Sequence, residues 1–461
     1  MRTRIQTELP LAIDAAGPGP IHARIERGLR ALVRSGRLSK GTVLPSTRTL
    51  ALELRVSRGV VVEAYDQLIA EGYLDARARS GTVVAAVPQR APAPPPDAQA
   101  PAFPFDFRPG LPDLSLFPLA PWSRASRKVL REARPQDLGY GNPAGTALLR
   151  ESLCDYLSRV RGVCAHADEI LVCNGFTQGL TLILQTMRSR GIRRLAMEDP
   201  CHPDLRHIAR YAGMSTVSVP VDKDGMRVDV LPRARAQAVL LTSAHQFPLG
   251  GVLSPDRRQW LIHWAQQSGA YVIEDDYDAE YRYDRQPVGA LQGLAPAQVI
   301  YAGSASKILA PSLRLGWLVV PPALRPAVVE RKRYSDINAR SLEQLIYAEF
   351  LRNGELDRHL HRMRTLYSRR RDVLLRALAR HLPEWSTAGT AAGLHLVARL
   401  PADCSESQVV RAAAQHAIRV YPMQDYCQRA VQGPALVLGY GSLPESQIEH
   451  GICRLAQAIR H

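Results

Sequence analysis

A proline-rich segment, residues 88–104, divides the 461-residue chain into a short and a long part. Seven of its 17 residues are proline, which favours an extended polyproline II conformation over a packed core. At about 3.1 Å per residue it can span on the order of 50 Å. We therefore predict two domains, residues 1–87 and 105–461, joined by a semi-rigid linker at 88–104.

The part before the linker predicts three helices followed by a β-hairpin. Apolar side chains repeat at helical spacing from Ile21 to Ser35, and Ser46 and Ser57 suit the N-cap positions of two further helices. Short alternating stretches then flank a turn at residues 79–81, as in a small hairpin. Three helices with a tight turn between the last two, then a basic hairpin, predict a winged helix-turn-helix.

Small and basic residues occupy the positions where such a domain meets DNA. The third helix begins Ser57-Arg58-Gly59, and the free amide groups at a helix N-terminus favour phosphate. Arg77 and Arg79 on the hairpin are candidates for contacts with the DNA backbone or minor groove. Each arginine taken singly is equally compatible with a solvated surface charge.

This segment resembles the GntR family of bacterial transcription regulators. The resemblance rests on Leu44-Pro-Ser-x-Arg48, Val56-Ser-Arg58, Ala64-Tyr-x-x-Leu68, Glu71-Gly-Tyr73 and Ser80-Gly-Thr82. It implies DNA contacts by Arg48, Ser57, Arg58 and Gly81. Gly59 and the valine after it replace the hydroxyl-bearing residues common in the family, so base preference there stays open.

In the long part, one of the chain's five lysines has an unusual setting. Lys307 is followed by the apolar residues 308–310, and a lysine held by apolar neighbours has a lowered pKa and can form a Schiff base. Ser304, Ser306 and Arg314 supply two hydroxyls and a guanidinium, which suit an aldehyde carrying a phosphate, such as pyridoxal 5'-phosphate. The alternative is a lysine that ends a helix and extends toward solvent.

A second stretch, Val272-Ile-Glu-Asp-Asp-Tyr-Asp278, predicts a buried strand that runs into a cluster of carboxylates. Buried carboxylates need a cationic partner, and a protonated pyridine nitrogen is one. We assign Asp275 to that nitrogen and Tyr277 to the ring's phenolic oxygen. An acidic surface loop is the alternative.

Together the two stretches resemble the cofactor site of fold-type I aminotransferases, in the form found in MocR-type regulators. The match is Asp-Asp-Tyr-Asp at 275–278, then Ser-x-Ser-Lys at 304–307 and Arg-x-Gly at 314–316. It implies an α/β fold with a large α/β domain and a small carboxyl-terminal α+β lobe. It also implies that Lys307 forms the aldimine, and that the serines and the arginine hold the phosphate.

A strand, a glycine turn and a helix start predict a further part of the phosphate site. We assign Gly175, Phe176 and Thr177 to it, because amide groups at a helix N-terminus bind phosphate. By the resemblance, Tyr140 corresponds to a tyrosine that reaches the phosphate of the partner subunit, or else is a packed turn residue. His202 stands where a tyrosine usually stacks on the pyridine ring.

Two positions depart from the aminotransferase pattern. Phe247 stands where an asparagine binds the phenolic oxygen, and His245 or Gln246 are candidates to replace it. Val437 stands where an arginine binds the substrate carboxylate, so either another arginine binds it or ordinary amino acids are not substrates.

From about Pro321 the sequence predicts a long helix and then the smaller lobe.

Composition limits the surroundings of the protein. The formal net charge of +16 suits a polyanionic partner. The seven cysteines are scattered, without paired or metal-binding spacing, which predicts free thiols in a reducing cytoplasm and no metal site. An apolar signal core and an apolar run long enough for a bilayer are both absent from the sequence, so we expect no membrane partner.

The combined prediction is a bacterial, cytoplasmic transcriptional regulator that binds pyridoxal phosphate and a double-stranded DNA operator, and is nucleoid-associated when bound. It is expected to sense pyridoxal phosphate, or an amine or amino-acid effector, through aldimine chemistry. We expect a homodimer, with domain swapping allowed by the linker, and little or no transaminase turnover. The alternatives are an active aminotransferase with a fused DNA-binding domain, and a degenerate domain kept as a dimer scaffold.

Overall fold

The computed structural model describes residues 18–77, 81–86, 103–284, 288–429 and 433–460. The chain forms two compact units that meet between residues 101 and 102, within the predicted linker. Nearly all of that linker, residues 87–102, lies outside the described residues.

The first unit contains three helices and a hairpin, as the sequence predicted. Its elements are α1 (Ile21–Arg34), α2 (Thr47–Leu54), α3 (Arg58–Ala70), β1 (Leu74–Arg77) and β2 (Gly81–Val84), with β1 and β2 antiparallel. Ser46 caps α2 by accepting a hydrogen bond from the Thr49 amide at 3.1 Å. Ser57 occupies the N-cap position of α3, but its side chain forms no capping hydrogen bond. Buried Ile25, Leu29 and Leu68 join the helices in one core.

The second unit is built on an eight-stranded sheet with helices around it. Its first elements are β3 (Phe105–Asp106), α4 (Leu119–Glu132), α5 (Ala147–Arg161), β4 (Ile170–Cys173), α6 (Phe176–Ser189), β5 (Arg194–Asp199), α7 (Pro203–Tyr211), β6 (Ser215–Asp222), β7 (Gly225–Met226), β8 (Ala238–Leu241), α8 (Pro255–Ser268), β9 (Tyr271–Asp275), β10 (Val299–Ser304), α9 (Ala305–Ile308) and β11 (Gly316–Val319). The strand order is β4-β11-β10-β9-β8-β5-β6-β7.

Strands β4, β8, β10 and β11 are buried along their whole length because helices cover both faces of the sheet, whereas β6, near one edge, is only partly buried. Neighbouring strands from β10 through β9, β8 and β5 to β6 are parallel, whereas β11 is antiparallel to both of its neighbours. The carboxyl ends of the five parallel strands therefore meet at one edge, where binding sites of open α/β sheets form.

The rest of the unit forms the small carboxyl-terminal lobe and the helices that lead to it. These elements are α10 (Arg325–Asp336), α11 (Ser341–Arg352), α12 (Glu355–His381), β12 (Ser386–Ala388), β13 (His395–Arg399), α13 (Glu406–Gln415), β14 (Ile418–Arg419), β15 (Tyr421–Pro422), β16 (Ala435–Gly439) and α14 (Glu445–Arg460). An antiparallel sheet of order β12-β13-β16-β15 forms the lobe, and β14 pairs in parallel with the distant β3.

The predicted long helix before the small lobe is α12, with 27 residues, but two shorter helices, α10 and α11, precede it after Pro321. Ile337 ends α10 at φ 64°, and Gly354 precedes α12 at φ 68°. Both values lie outside the range of helical backbone, so the helix cannot continue through either residue. Glycine at 354 is compatible with this backbone, whereas a β-branched residue at 337 carries no sequence signal for it.

Two further predictions agree with the structure. All seven cysteines are free. Within the described residues, none of the helices combines the length and the apolar character needed to cross a membrane.

Candidate functional site

A cavity of about 480 Å³ opens beside the carboxyl ends of β9 and β10. Nine of the eleven predicted cofactor residues line it, namely Phe176, Thr177, His202, Asp275, Tyr277, Ser304, Ser306, Lys307 and Arg314. Gly175 lies directly behind the Arg314 guanidinium. Tyr140 does not line the cavity, and 87% of it is exposed to solvent.

Lys307 lies on the short helix α9, which follows β10 directly. Burial lowers the pKa of its ammonium group, Asp278 and Asp275 oppose this shift, and Arg108 adds to it. A Cβ on Gly110 would lie 3.4 Å from the Lys307 Nζ, so the glycine leaves room around the amine. A buried amine with a lowered pKa has the unprotonated fraction that attack on an aldehyde requires.

Asp275 ends strand β9 and faces the cavity. Burial raises the pKa of its carboxyl group well above the usual range, Asp276 and Asp278 raise it further, and Lys307 opposes them. Its carboxylate forms no hydrogen bond or ion pair with any residue in the described part of the chain. An ionised carboxylate here needs a cation in direct contact, and Lys307 acts on it only without such a contact.

Other residues that line the cavity carry groups that suit a phosphate. Gly175, at φ 80°, is the N-cap of α6, so the helix begins at Phe176 and Thr177 with free amide groups. The Arg314 guanidinium donates a hydrogen bond of 3.1 Å to the carbonyl oxygen of Asn174, beside this turn. The hydroxyl of Ser304 accepts a hydrogen bond of 3.0 Å from the Ser306 amide.

A buried histidine orients Tyr277. The Tyr277 hydroxyl lies 3.0 Å from His245 Nδ1, which is also 3.0 Å from Asp278 Oδ2. His245 and Gln246 do not line the cavity, so neither replaces the missing asparagine directly. The side-chain amide of Gln246 already forms hydrogen bonds within the protein. Its Nε2 donates to the Pro200 and Phe247 carbonyls, and its Oε1 accepts from the Leu249 amide.

Aromatic side chains form the remaining wall. His202 caps α7, accepting a hydrogen bond of 3.3 Å from the Asp204 amide, and its ring centroid lies 5.6 Å from that of Phe247. Val437 is fully buried in an apolar cluster with Phe247 and Tyr426, and does not line the cavity.

In the first unit, five of the six predicted DNA-contact residues are described, and all five are exposed: Arg48, Ser57, Arg58, Arg77 and Gly81. The Nε of Arg58 donates a hydrogen bond of 3.4 Å to the hydroxyl of Thr47, so the starts of α2 and α3 lie side by side. Gly81 has φ 83°, a backbone conformation that favours glycine. Arg79 lies outside the described residues.

Residues 112–433 match the aminotransferase class I and II family, and residues 21–84 match the gntR family of bacterial regulatory proteins. The probable rhizopine catabolism regulatory protein MocR of Rhizobium meliloti is 32% identical, covering 97% of this chain and 96% of its own. The pyridoxine biosynthesis regulator PdxR of Corynebacterium glutamicum is also 32% identical, over 98% and 99%. The chain belongs to the MocR-type regulators of the GntR family.

This MocR-type regulator shares the aminotransferase fold in its second unit. The multiple substrate aminotransferase of Thermococcus profundus superposes with a TM-score of 0.72 at 26% identity, covering 78% of this chain and 92% of that one. The predicted fold class and family resemblance are confirmed: a DNA-binding winged helix-turn-helix precedes a fold-type I aminotransferase-like unit. The cofactor of such a unit is pyridoxal phosphate, as predicted.

The cavity of this regulator fits pyridoxal phosphate on three observations. Lys307 offers a buried amine for the aldehyde. Asp275 is a carboxylate in need of a cation, which a protonated pyridine nitrogen supplies. The start of α6 and the Arg314 guanidinium offer donors for a phosphate.

Sequence reasoning missed several residues that line the same cavity, among them Arg108, Tyr421, Asp425 and Tyr426. The pairing of β3 with β14 brings Arg108 there. The Phe107 amide donates to the Arg419 carbonyl at 3.0 Å, and the Phe107 carbonyl accepts from the Gly439 amide at 2.9 Å. Arg108 thus reaches the cavity beside β16, the strand in which the sequence lacks the expected arginine.

Proposed function

We propose that Lys307 holds pyridoxal phosphate covalently, and that the loaded cavity senses pyridoxal phosphate itself or an amine or amino-acid effector and alters operator binding. The observation that carries the proposal is the buried Lys307 amine within one cavity that also holds Asp275 and Arg314. When bound, pyridoxal phosphate supplies an aldehyde that reacts with amines and a ring that withdraws electrons.

The residues of the chain have separate tasks in this proposal. Asp275 holds a proton on the ring nitrogen, because its carboxylate becomes stable only beside a positive charge. Tyr277, oriented by His245, donates a hydrogen bond to the phenolic oxygen. Phe176 and Thr177, at the start of α6, direct amide groups at the phosphate.

Arg108 is our candidate for the group that distinguishes effectors. Its charge acts on both Lys307 and His202, so it lies near the reacting amine. It forms no ion pair with any carboxylate among the described residues, and is therefore available to an anionic group on a ligand. With Val437 buried elsewhere, Arg108 takes the place of the carboxylate-binding arginine of aminotransferases.

Borohydride reduction of the cofactor-loaded protein, followed by peptide mapping, tests the attachment. We expect the label on Lys307 alone. Lys332 is the matched control, because it is also buried but its Nζ donates to both oxygens of Asp336 at 2.6 and 2.8 Å. A label on Lys332 or another lysine, or no label at all, refutes the proposal.

The exposed start of α2 and α3 supports DNA binding through Arg48 and Arg58. We expect R48A/R58A to reduce the slope of log affinity against log salt by about 2, since each lost phosphate contact contributes ~0.9. The matched control R27A/R37A removes two exposed arginines of the same unit from α1 and the turn after it. Equal slopes for the two variants would contradict the assignment.

We propose that the protein forms a homodimer, in which Tyr140 reaches the partner subunit. Large apolar side chains are exposed close together in sequence: Leu114, Leu116, Leu119, Leu130, Leu138 and Tyr140. Such a run marks an interaction surface. We expect L119E to shift the protein toward monomer in sedimentation, whereas L294E, at a leucine that is also exposed, leaves the dimer intact. A monomeric wild-type protein refutes the proposal.

A further inference from the structure

Seven exposed arginines lie at the edge of the sheet opposite the cavity. They are Arg188, Arg190, Arg193, Arg194, Arg210, Arg233 and Arg235, called here the arginine surface. They come from the chain segments that precede β5, β6 and β8. These three strands are neighbours and parallel, so their amino ends meet at one edge.

Hydrogen bonds between the segments hold the arginine surface together. The Gln237 Oε1, just before β8, accepts from the backbone amides of Arg193 and Arg194 at 2.9 and 3.2 Å. The Ser215 amide, at the start of β6, donates to the Arg193 carbonyl at 2.8 Å. The Arg188 guanidinium donates to the carbonyl of Gly213. The segments are therefore adjacent in space as well as in topology.

The arginine surface lacks compensating negative charge. Residues 188–197, 205–218 and 231–241 contain no aspartate or glutamate. Within the described part of the chain, none of the seven arginines forms an ion pair. Other exposed arginines of this unit do, for example Arg227 with Asp229 at 2.7 Å.

The distribution of charge along the chain agrees with this surface. Residues 105–461 contain 45 Lys and Arg against 34 Asp and Glu, so they carry +11 of the net charge of +16. A DNA-binding first unit therefore does not account for all of the positive charge of the chain. Guanidinium groups on a rigid sheet edge suit the regularly spaced phosphates of a duplex.

We propose that the arginine surface binds the phosphate backbone of double-stranded DNA, as a second contact beyond that of the winged helix-turn-helix. The proposal rests on DNA binding by the first unit, which brings duplex near the second. Because each phosphate contact releases counterions, the second contact increases both affinity and its dependence on salt, with no base preference.

The test compares two triple variants of the full-length, cofactor-loaded protein on a random-sequence duplex of about 60 base pairs, at several salt concentrations. R190Q/R193Q/R233Q removes three charges from the arginine surface, at side chains with no hydrogen bond in the described structure. R376Q/R399Q/R411Q removes three exposed arginines from α12, β13 and α13. The visible absorbance of the cofactor shows that both variants are folded.

We expect the slope of log affinity against log salt to fall by about 2 to 3 for the first variant and to stay near wild type for the second. Unchanged slopes in both variants overturn the proposal, as does an equal fall in both, which would reflect net charge alone. Measuring R48A/R58A alongside separates the two claims. If that variant binds like wild type, DNA binding by the first unit has failed, whatever the arginine surface does.

Discussion

Replacing Gly175 by alanine is the sharpest test of the phosphate end of the cavity. Gly175 has φ 80° and ψ 171°, a region that is essentially restricted to glycine. A Cβ at this position would lie 2.9 Å from Arg314 Nη2 and 3.1 Å from its Cζ. The alanine variant therefore strains the backbone and also displaces the guanidinium.

The two effects have separate magnitudes and separate readouts. Backbone strain costs about 1–3 kcal/mol of folding free energy and acts with or without cofactor. The Arg314 guanidinium ends a flexible side chain and can move away, but it then loses its position against the phosphate. A hydrogen bond to a charged group contributes about 1.5–3 kcal/mol, so cofactor affinity falls roughly 10- to 150-fold.

The assay titrates pyridoxal phosphate by its visible absorbance and measures the Tm of the cofactor-free protein. Gly191 is the matched control, because it has φ 84° and a Cβ there would meet nothing within 4 Å. We expect G175A and G191A both to lower Tm, and only G175A to lose cofactor affinity. Wild-type affinity in G175A, or an equal loss in G191A, would refute the role given to Arg314.

Three further outcomes follow from the same geometry. D275N should bind the cofactor about tenfold or more weakly and should change its absorbance, because an amide cannot act as a counter-ion to the ring nitrogen. D425N, in the same cavity, should change neither the affinity nor the absorbance. R108Q should abolish any preference for alanine over ethylamine in a titration of the loaded protein, and an unchanged preference counts against Arg108 as the anion-binding group. With His202 in place of the tyrosine that stacks on the ring, transamination of common amino acids should stay below ~1 per second, and faster multiple turnover would make the protein an enzyme.

Most of the candidate site could be predicted because its residues occupy short motifs at the ends of buried strands. Asp275 ends β9, and Lys307 follows β10, its parallel neighbour in the sheet. Two adjacent parallel strands deliver their carboxyl ends to the same edge, so spacing along the chain translates into proximity. Phe176 was predicted differently, from a glycine turn that begins a helix, and it lies at the cavity at the start of α6.

Arg108 and Tyr421 could not be found in this way. They reach the cavity through β3 and β14, strands of two residues each that are separated by more than 300 positions in sequence. Two residues have no periodicity that distinguishes a strand from a loop. The contact of the Tyr421 hydroxyl with Asp106 Oδ1, at 2.9 Å, depends on the same long-range pairing.

The cavity is lined by residues of both the large sheet and the small lobe, and this division determines which ligands can affect the position of the lobe. Lys307 and Asp275 belong to the large sheet, whereas Arg108 and Tyr421 are joined to the small lobe through β3, β14 and β15. A ligand that contacts only the large sheet has equal affinity for every position of the lobe and cannot favour one over another, however tightly it binds. An effector that spans from Lys307 to Arg108 gains its second contact only when the lobe is close. We therefore expect the anionic group of an effector, rather than its amine, to be the part whose binding is coupled to the position of the lobe.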